Sequence, residues 1–356
     1  MAKNGKLVFM KKMLAAVLYG PKDVRLEYLP RPKVGPGEVL VKIKAALTCG
    51  TDAKVYQRGG HPRMIIPPAT FGHEFSGLVS EVGKGVTRFG KGDRVVAANS
   101  APCGRCFYCQ LGSQSMCEEL LFINGAYAQY ILIPRRIVDQ NLLPIPAEVS
   151  FKEASLVEPL ACVIHGLEES GISLGDTVVI NGAGPIGLMY AGLAKLKGAR
   201  VISTDGHPPR LKIARKMGAD EIINVSQVKD TVKAVRRLTP GGRGADVVIE
   251  ATGLPEIWEK STEMVRHGGI VNLFGGCKPG STISLDTGLI HYGELTLKAV
   301  FHHTPHYVRL ALEMIRRKEI RTDLLITHEF PLKKLHQALT MITSQEGIKI
   351  AIIPPN

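Results

Sequence analysis

The chain has 356 residues, 45% of them hydrophobic, enough for two domains of ordinary size with substantial cores. Lys and Arg outnumber Asp and Glu by 45 to 32, a net charge of +13 that suits anionic small molecules. The bases are scattered and only one Trp is present, so nucleic acid is a poor expectation, and no apolar run nears the roughly 18 residues of a membrane span.

The start is basic, but residues 13–18 are too short for a signal-peptide core and read as a first strand. Met10 or Met13 is a candidate true start, which makes the first dozen residues an extension, and a cytoplasmic location is expected. Apolar runs then alternate with turns at Gly20-Pro21, Pro30-Arg31-Pro32 and Gly35-Pro36-Gly37, and residues 39–45 have a clean strand pattern. A β-rich domain therefore comes first.

It carries Cys49-Gly50-Thr51-Asp52 and then Gly72-His73-Glu74-Phe75-Ser76-Gly77. Cys, His and Glu are all zinc ligands, and a catalytic zinc takes three protein ligands while keeping a fourth position open. Alone, Cys49 would read as a small buried hydrophobe and His73 as a satisfied core residue. Together, beside glycines, they favour a metal.

Cys103, Cys106, Cys109 and Cys117 follow, four of the seven cysteines within fifteen residues, spaced C-x2-C-x2-C-x7-C. Four thiolates saturate a tetrahedral zinc and leave no place for a substrate, so this site reads as structural. A redox C-x-x-C pair is the alternative, but it lacks a βαβ setting and leaves two cysteines idle. Strand and turn patterns over 125–146 lead to Ser150 with Glu153 three residues on, a capping box, and then to Glu158-Pro159-Leu160.

A β-branched run next ends in Gly182-Ala183-Gly184-Pro185-Ile186-Gly187, with a helical pattern behind it. This is the dinucleotide fingerprint, in which Gly182 turns the chain, Gly184 admits a pyrophosphate and Gly187 lets the helix pack against the strand. A second strand pattern ends in Asp205, about 18 residues beyond Gly187, where an acid accepts hydrogen bonds from the adenosine ribose. Its alternative use is a turn or cap before Pro208-Pro209. An acid here favours NAD over NADP, although Arg210 keeps NADP open. Further strands at 221–223, 245–250 and 269–274, with helices near 208–217, 228–238 and 255–266, predict a doubly wound parallel sheet. Gly253 and Gly275-Gly276 fall at its ligand-binding edge.

The motif Gly72-His73-Glu74, Gly77, Gly83, with Val86 behind it, resembles the signature of the zinc-dependent medium-chain dehydrogenase/reductase superfamily, in its alcohol, sorbitol and threonine dehydrogenase branches. The resemblance runs from about residue 13 to the end. It implies a β-rich GroES-like catalytic domain over 1–160 and 299–356, with the structural-zinc lobe at about 100–120, and a NAD-binding Rossmann domain over 161–298. A helix near 306–318 is expected to carry the chain back to the first domain. Two zinc ions per chain are implied, one of them catalytic on Cys49, His73 and either Glu74 or Glu158. In polyol and threonine dehydrogenases a glutamate at the Glu158 position ligates zinc or holds its water. Cys162, four residues late for the cysteine found in other alcohol dehydrogenases, reads as core. Thr51 matches the proton-relay hydroxyl, but Lys54 stands where relatives often carry a histidine. Backbone near Phe274, Gly275, Val300 and Phe301 is implied to meet the nicotinamide. His302, His303 and His306 either bind hydroxyls or phosphate, or face solvent.

The expected activity is hydride transfer between a secondary alcohol, foremost a polyol, sugar alcohol or its phosphate, and NAD, in a homotetramer or homodimer. Threonine or a simple secondary alcohol is the alternative substrate. A non-catalytic NAD sensor and a zinc-ribbon nucleic-acid binder are the rivals from other classes.

Overall fold

The structure, a computed structural model, describes residues 11–60 and 64–356. The expected extension up to residue 10, with the candidate start at Met10, lies outside the described residues. Met13 is buried in the strand Lys12–Gly20, which pairs antiparallel with Asp23–Pro30.

Two compact units result. The first comprises residues up to Cys103, Glu119–Leu156 and the chain from His328; the second comprises Gly104–Glu118 and Val157–Thr327.

In the first unit the apolar run of residues 39–47 forms a nearly fully buried strand, Val39–Leu47. It pairs antiparallel with Glu74–Val82, Tyr130–Ile133 and Lys349–Ile353, at the centre of a seven-stranded sheet. Gly77 sits under this strand, where a Cβ would lie 2.1 Å from the Lys42 carbonyl oxygen, so the motif glycine is demanded by strand contact. The core is aliphatic, with Phe71, Phe75 and Tyr127 fully enclosed. Ser150 and Glu153 form the expected reciprocal cap, Glu153 N donating to Ser150 Oγ at 3.2 Å and Ser150 N to Glu153 Oε2 at 2.9 Å. The helix they start is only Phe151–Ala154, and Val157–Glu169 follows as a separate helix.

The second unit holds a six-stranded parallel sheet in the spatial order Glu221–Asn224, Arg200–Asp205, Thr177–Asn181, Ala245–Glu250, Val265–Leu273, Thr296–Lys298. In chain order that is third, second, first, fourth, fifth, sixth, a doubly wound sheet whose direction of winding reverses beside Thr177–Asn181. Burial on both faces explains why this central strand is an unbroken apolar run. Helices Pro185–Leu196, Pro208–Met217, Thr231–Arg237 and Pro255–Met264 make the crossovers. The helix Pro305–Arg316 packs on Val157–Glu169 within this unit, so the return to the first unit comes at His328, later than the helix that the sequence pattern suggested. Among the described residues no helix is long and apolar enough to cross a membrane.

Candidate functional site

Cys49 is the N-cap of the helix Gly50–Arg58, an unusual residue for a position that favours Ser, Thr, Asp or Asn. Its Sγ accepts from Thr51 N at 3.4 Å, while Asp52 Oδ2 accepts from Cys49 N at 2.9 Å. His73 and Glu74 enter the same place at the start of Glu74–Val82, and ligand atoms of Cys49, His73 and Glu74 all lie within 4.8 Å of one another.

Three residues that the sequence reading did not single out support this group. Asp52, fully buried, places Oδ1 3.2 Å from His73 Nδ1 and accepts from the Tyr127 hydroxyl through Oδ2. A carboxylate behind Nδ1 leaves Nε2 as the ring's outward donor, as metal-ligating histidines require. Lys349 Nζ donates to both oxygens of Glu74 and to Thr48 O at 3.1 Å, with Lys349 and Glu74 both buried. Burial pushes the Cys49 thiol up, but the charge of His73, its hydrogen bond and Lys349 outweigh this and leave it at about 7. Burial favours neutral His73, and the charges of Asp52 and Cys49 reverse that, holding it well above its ordinary value. Burial raises Glu74 and Lys349 pulls it back, with a net rise. A readily ionised thiol beside an oriented imidazole is the donor chemistry that zinc takes. Thr51 is half-buried on the first turn of the helix and Lys54 is exposed on it.

Glu158 is buried in the first turn of Val157–Glu169, in company with Cys162 and His302, whose ligand atoms again lie within 4.8 Å of one another. The expectation that Cys162 is core is corrected: it is half-buried and faces Glu158, because residues four apart share a helix face. Of the three histidines left open, His303 is buried, His302 half-buried and His306 exposed.

In the loop 103–117 all four sulfurs lie within 4.8 Å of one another, and Cys106 and Cys117 are 3.9 Å apart. That is too long for a disulfide, about 2.05 Å. It matches the edge of a tetrahedron of thiolates about 2.3 Å from a zinc ion, roughly 3.8 Å.

The glycine turn occupies the carboxyl end of Thr177–Asn181, where the winding reverses. A Cβ on Gly187 would meet Gly182 O at 1.8 Å, so the helix packs on the turn as the fingerprint requires. Gly184 faces open space and caps Pro185–Leu196 without a side-chain hydrogen bond, leaving the N–H groups of that helix end to an anion. Pro185 and Ile186 form its first turn. Asp205 closes the neighbouring strand and accepts from Ala183 N at 2.7 Å and His207 N at 2.8 Å, and the helix cap is His207 rather than Asp205. The charge of Asp205 acts on Arg210, opposing the effect of burial there. Gly253, Phe274 and Gly275 meet at the same sheet edge, where Gly275 N donates to Glu250 O at 2.8 Å and a Cβ on Gly253 would lie 2.5 Å from Gly276 O. Val300, buried, and Phe301, exposed, follow the end of Thr296–Lys298 on that edge. Sequence reasoning missed Glu250, a buried acid that ties this edge by accepting from Thr252 N and Gly253 N.

Two family models match the chain, alcohol dehydrogenase GroES-like domain over residues 35–147 and zinc-binding dehydrogenase over residues 185–317. The erythritol/L-threitol dehydrogenase of Mycolicibacterium smegmatis is 35% identical, over 97% of this chain and 98% of its own. The sorbitol dehydrogenase of Bacillus subtilis is 31% identical over 97% and 98%, and the L-threonine 3-dehydrogenase of Bacillus licheniformis 32% over 94% and 96%. Among solved structures, a zinc-binding dehydrogenase of Sinorhizobium meliloti bound to NADP superposes with a TM-score of 0.89 at 31% identity, over 97% of this chain and all of that one. With its GroES-like and Rossmann-like domains and these relatives, the chain belongs to the zinc-type medium-chain alcohol dehydrogenases.

Proposed function

We propose that this oxidoreductase interconverts a secondary alcohol and its ketone, the alcohol being a polyol, a sugar alcohol or its phosphate, with NAD as the partner. The observation that carries the reading is half-buried Cys49 beside buried His73, with Asp52 held behind the imidazole. The names of the relatives, erythritol/L-threitol and sorbitol dehydrogenase, favour a polyol; L-threonine 3-dehydrogenase keeps an amino-alcohol as the alternative.

The donor set fits zinc: a thiol held near neutrality, an imidazole with its second nitrogen engaged, and a nearby carboxylate. Cys49 and His73 would hold the catalytic ion, with Glu74 or, as the sequence resemblance implies, Glu158 as the carboxylate donor. When bound there, zinc supplies Lewis acidity of the kind that lowers the pKa of water from 15.7 to about 7. Asp52 keeps the His73 ring oriented, and Lys349 holds the Glu74 carboxylate in place. The Thr51 hydroxyl takes the substrate proton and hands it outward, along a path that ends on Lys54, on water or on the cofactor ribose. When bound, a nicotinamide cofactor would supply the hydride acceptor, with the helix end at Gly184 holding its pyrophosphate and Asp205 its ribose hydroxyls. Cys103, Cys106, Cys109 and Cys117 would hold a second, structural zinc.

NADP is the second reading for the cofactor, favoured by the ligand of the Sinorhizobium structure and by Arg210 close behind Asp205. A homo-oligomer in the cytoplasm is the expected form. The test is a panel of polyols, sugar phosphates and amino-alcohols with each cofactor, read by absorbance of the reduced nicotinamide. Turnover of a polyol with NAD is expected. No turnover across the panel would overturn the reading in favour of a cofactor-binding sensor.

A further inference from the structure

Glu250 ends the strand Ala245–Glu250 at the carboxyl edge of the parallel sheet, and it is fully buried. Its Oε1 accepts from Thr252 N at 2.7 Å, from the Thr252 hydroxyl and from Gly253 N at 3.1 Å. The turn after the strand is thus folded back on the acid that precedes it. The main chain of Glu250 is tied to the neighbouring strand, its carbonyl oxygen accepting from Phe274 N at 3.1 Å and Gly275 N at 2.8 Å. The indole of Trp258, the single tryptophan of the chain, donates to Gly275 O at 3.0 Å.

This acid therefore sits where three turns meet. On one side Thr252 leans on the glycine fingerprint, where a Cβ on Gly182 would lie 2.9 Å from Thr252 Cγ2. On the other, a Cβ on Gly275 would lie 2.6 Å from Glu250 Oε2, so only glycine lets the carboxylate come so close to that backbone. Gly184 and Gly276 face the other way: a Cβ on either would meet nothing within 4 Å, which leaves the edge bare where such sheets bind ligands.

The charge of Glu250 is the unusual part. Thr252 N, the Thr252 hydroxyl and Gly253 N all donate to it, so the turn holds the ionised form. Burial raises the carboxyl and the bonds from Thr252, Gly253 and Trp258 pull it back, with a net rise. Buried charges are ordinarily paired, yet among the described residues no Lys, Arg or His forms an ion pair with Glu250. A carboxylate kept this way at a ligand-binding edge has a use for a cation that arrives with the ligand.

We propose that Glu250 is a positioning residue of the cofactor site whose charge favours the oxidised cofactor over the reduced one. It fixes the turn 251–253 between the fingerprint and Gly275. Its charge acts through the Gly275 backbone on the nicotinamide ring, which is cationic when oxidised and neutral once it has taken hydride. The acid therefore tightens the oxidised form alone. The inference rests on the proposed cofactor reading, in which backbone at Phe274 and Gly275 meets the nicotinamide. It holds for NAD and NADP alike, since the two share that ring.

The test measures binding rather than turnover. The full chain is titrated with NAD+ and with NADH, each followed through the fluorescence of Trp258. Glu250→Gln keeps an oxygen for Thr252 N and removes the charge. Affinity for NAD+ is expected to fall about fivefold or more and affinity for NADH to change by less than about twofold, the effect of one charge acting through protein. Equal weakening of both forms, or no change in either, overturns the proposal.

Should Glu250→Gln not fold, as circular dichroism would show, Thr252→Val supplies a second measurement. It removes the hydroxyl donor and keeps the charge, so both affinities fall together and their ratio holds. A ratio that moves in Thr252→Val, or affinities that do not fall, overturns the proposal. An unmutated chain that binds neither form of NAD or NADP removes the cofactor reading and this inference with it. Binding with an unmoved ratio in Glu250→Gln removes this inference alone.

Discussion

In the four-cysteine loop every donor comes from residues 103–117, and the loop holds only a short helix, Phe107–Gln110, and one turn of 3-10 helix. Cys49 and His73 are drawn instead from a helix cap and the approach to a strand, and the groups that orient and balance them come from Asp52, Tyr127 and Lys349. A saturated site needs only ligands, because four thiolates complete the metal's demands. An open site must keep its geometry with one position left for substrate, so orientation comes from a buried supporting layer. The price is a buried carboxyl and a buried amine, Glu74 and Lys349, that each depend on the other.

The sharpest way to break this contrast is to delete a ligand on each side. Cys49→Ala should abolish turnover while NADH binding, followed by fluorescence, stays near normal. Cys106→Ser, or removal of the loop metal by chelation, should instead lower the melting temperature with activity surviving at low temperature. If both variants lose activity and stability alike, the two sites do not divide the work as described.

Next comes the supporting charge. Lys349→Met leaves Glu74 buried without its partner and should cost about 3–5 kcal/mol in urea unfolding, whereas the double variant with Glu74→Gln should recover much of that. No recovery would mean that the pair is not coupled. Asp52→Asn should lower zinc affinity or turnover by about 10–100-fold, measured by metal retention on dialysis. Tyr127→Phe, which removes only a donor to Asp52, should have the smallest effect, about 1–3 kcal/mol of stability.

What could be read beforehand follows the same division. The cysteine spacing announces itself because all its ligands are close in sequence, and the glycine turn because strand, turn and helix are contiguous. The Ser150–Glu153 cap is legible for the same reason. Asp52 carried a signal that went unused: it sits three residues after Cys49, the acidic position of a capping box, with cysteine in place of the usual hydroxyl residue. Tyr127 and Lys349 carried none, since nothing in a lone sequence ties them to residues so far away. Cys162 was misread because a helix position four residues on from a glutamate can point either into the core or along the acid, and only the packing decides. The late return of the chain, at His328 rather than after 318, reflects the helix Pro305–Arg316 burying its apolar face on Val157–Glu169.

Lys349 is separated from its carboxylate partner by 275 residues. On a ribosome, Cys49, His73 and Glu74 emerge long before Lys349, whose amine pairs with the Glu74 carboxyl. The neighbouring amide of Ile350, which donates to Thr48 Oγ1 at 3.0 Å beside Cys49, arrives with it. A nascent chain stalled before Lys349 thus carries the Cys49, His73 and Glu74 donors without the amine that pairs with Glu74.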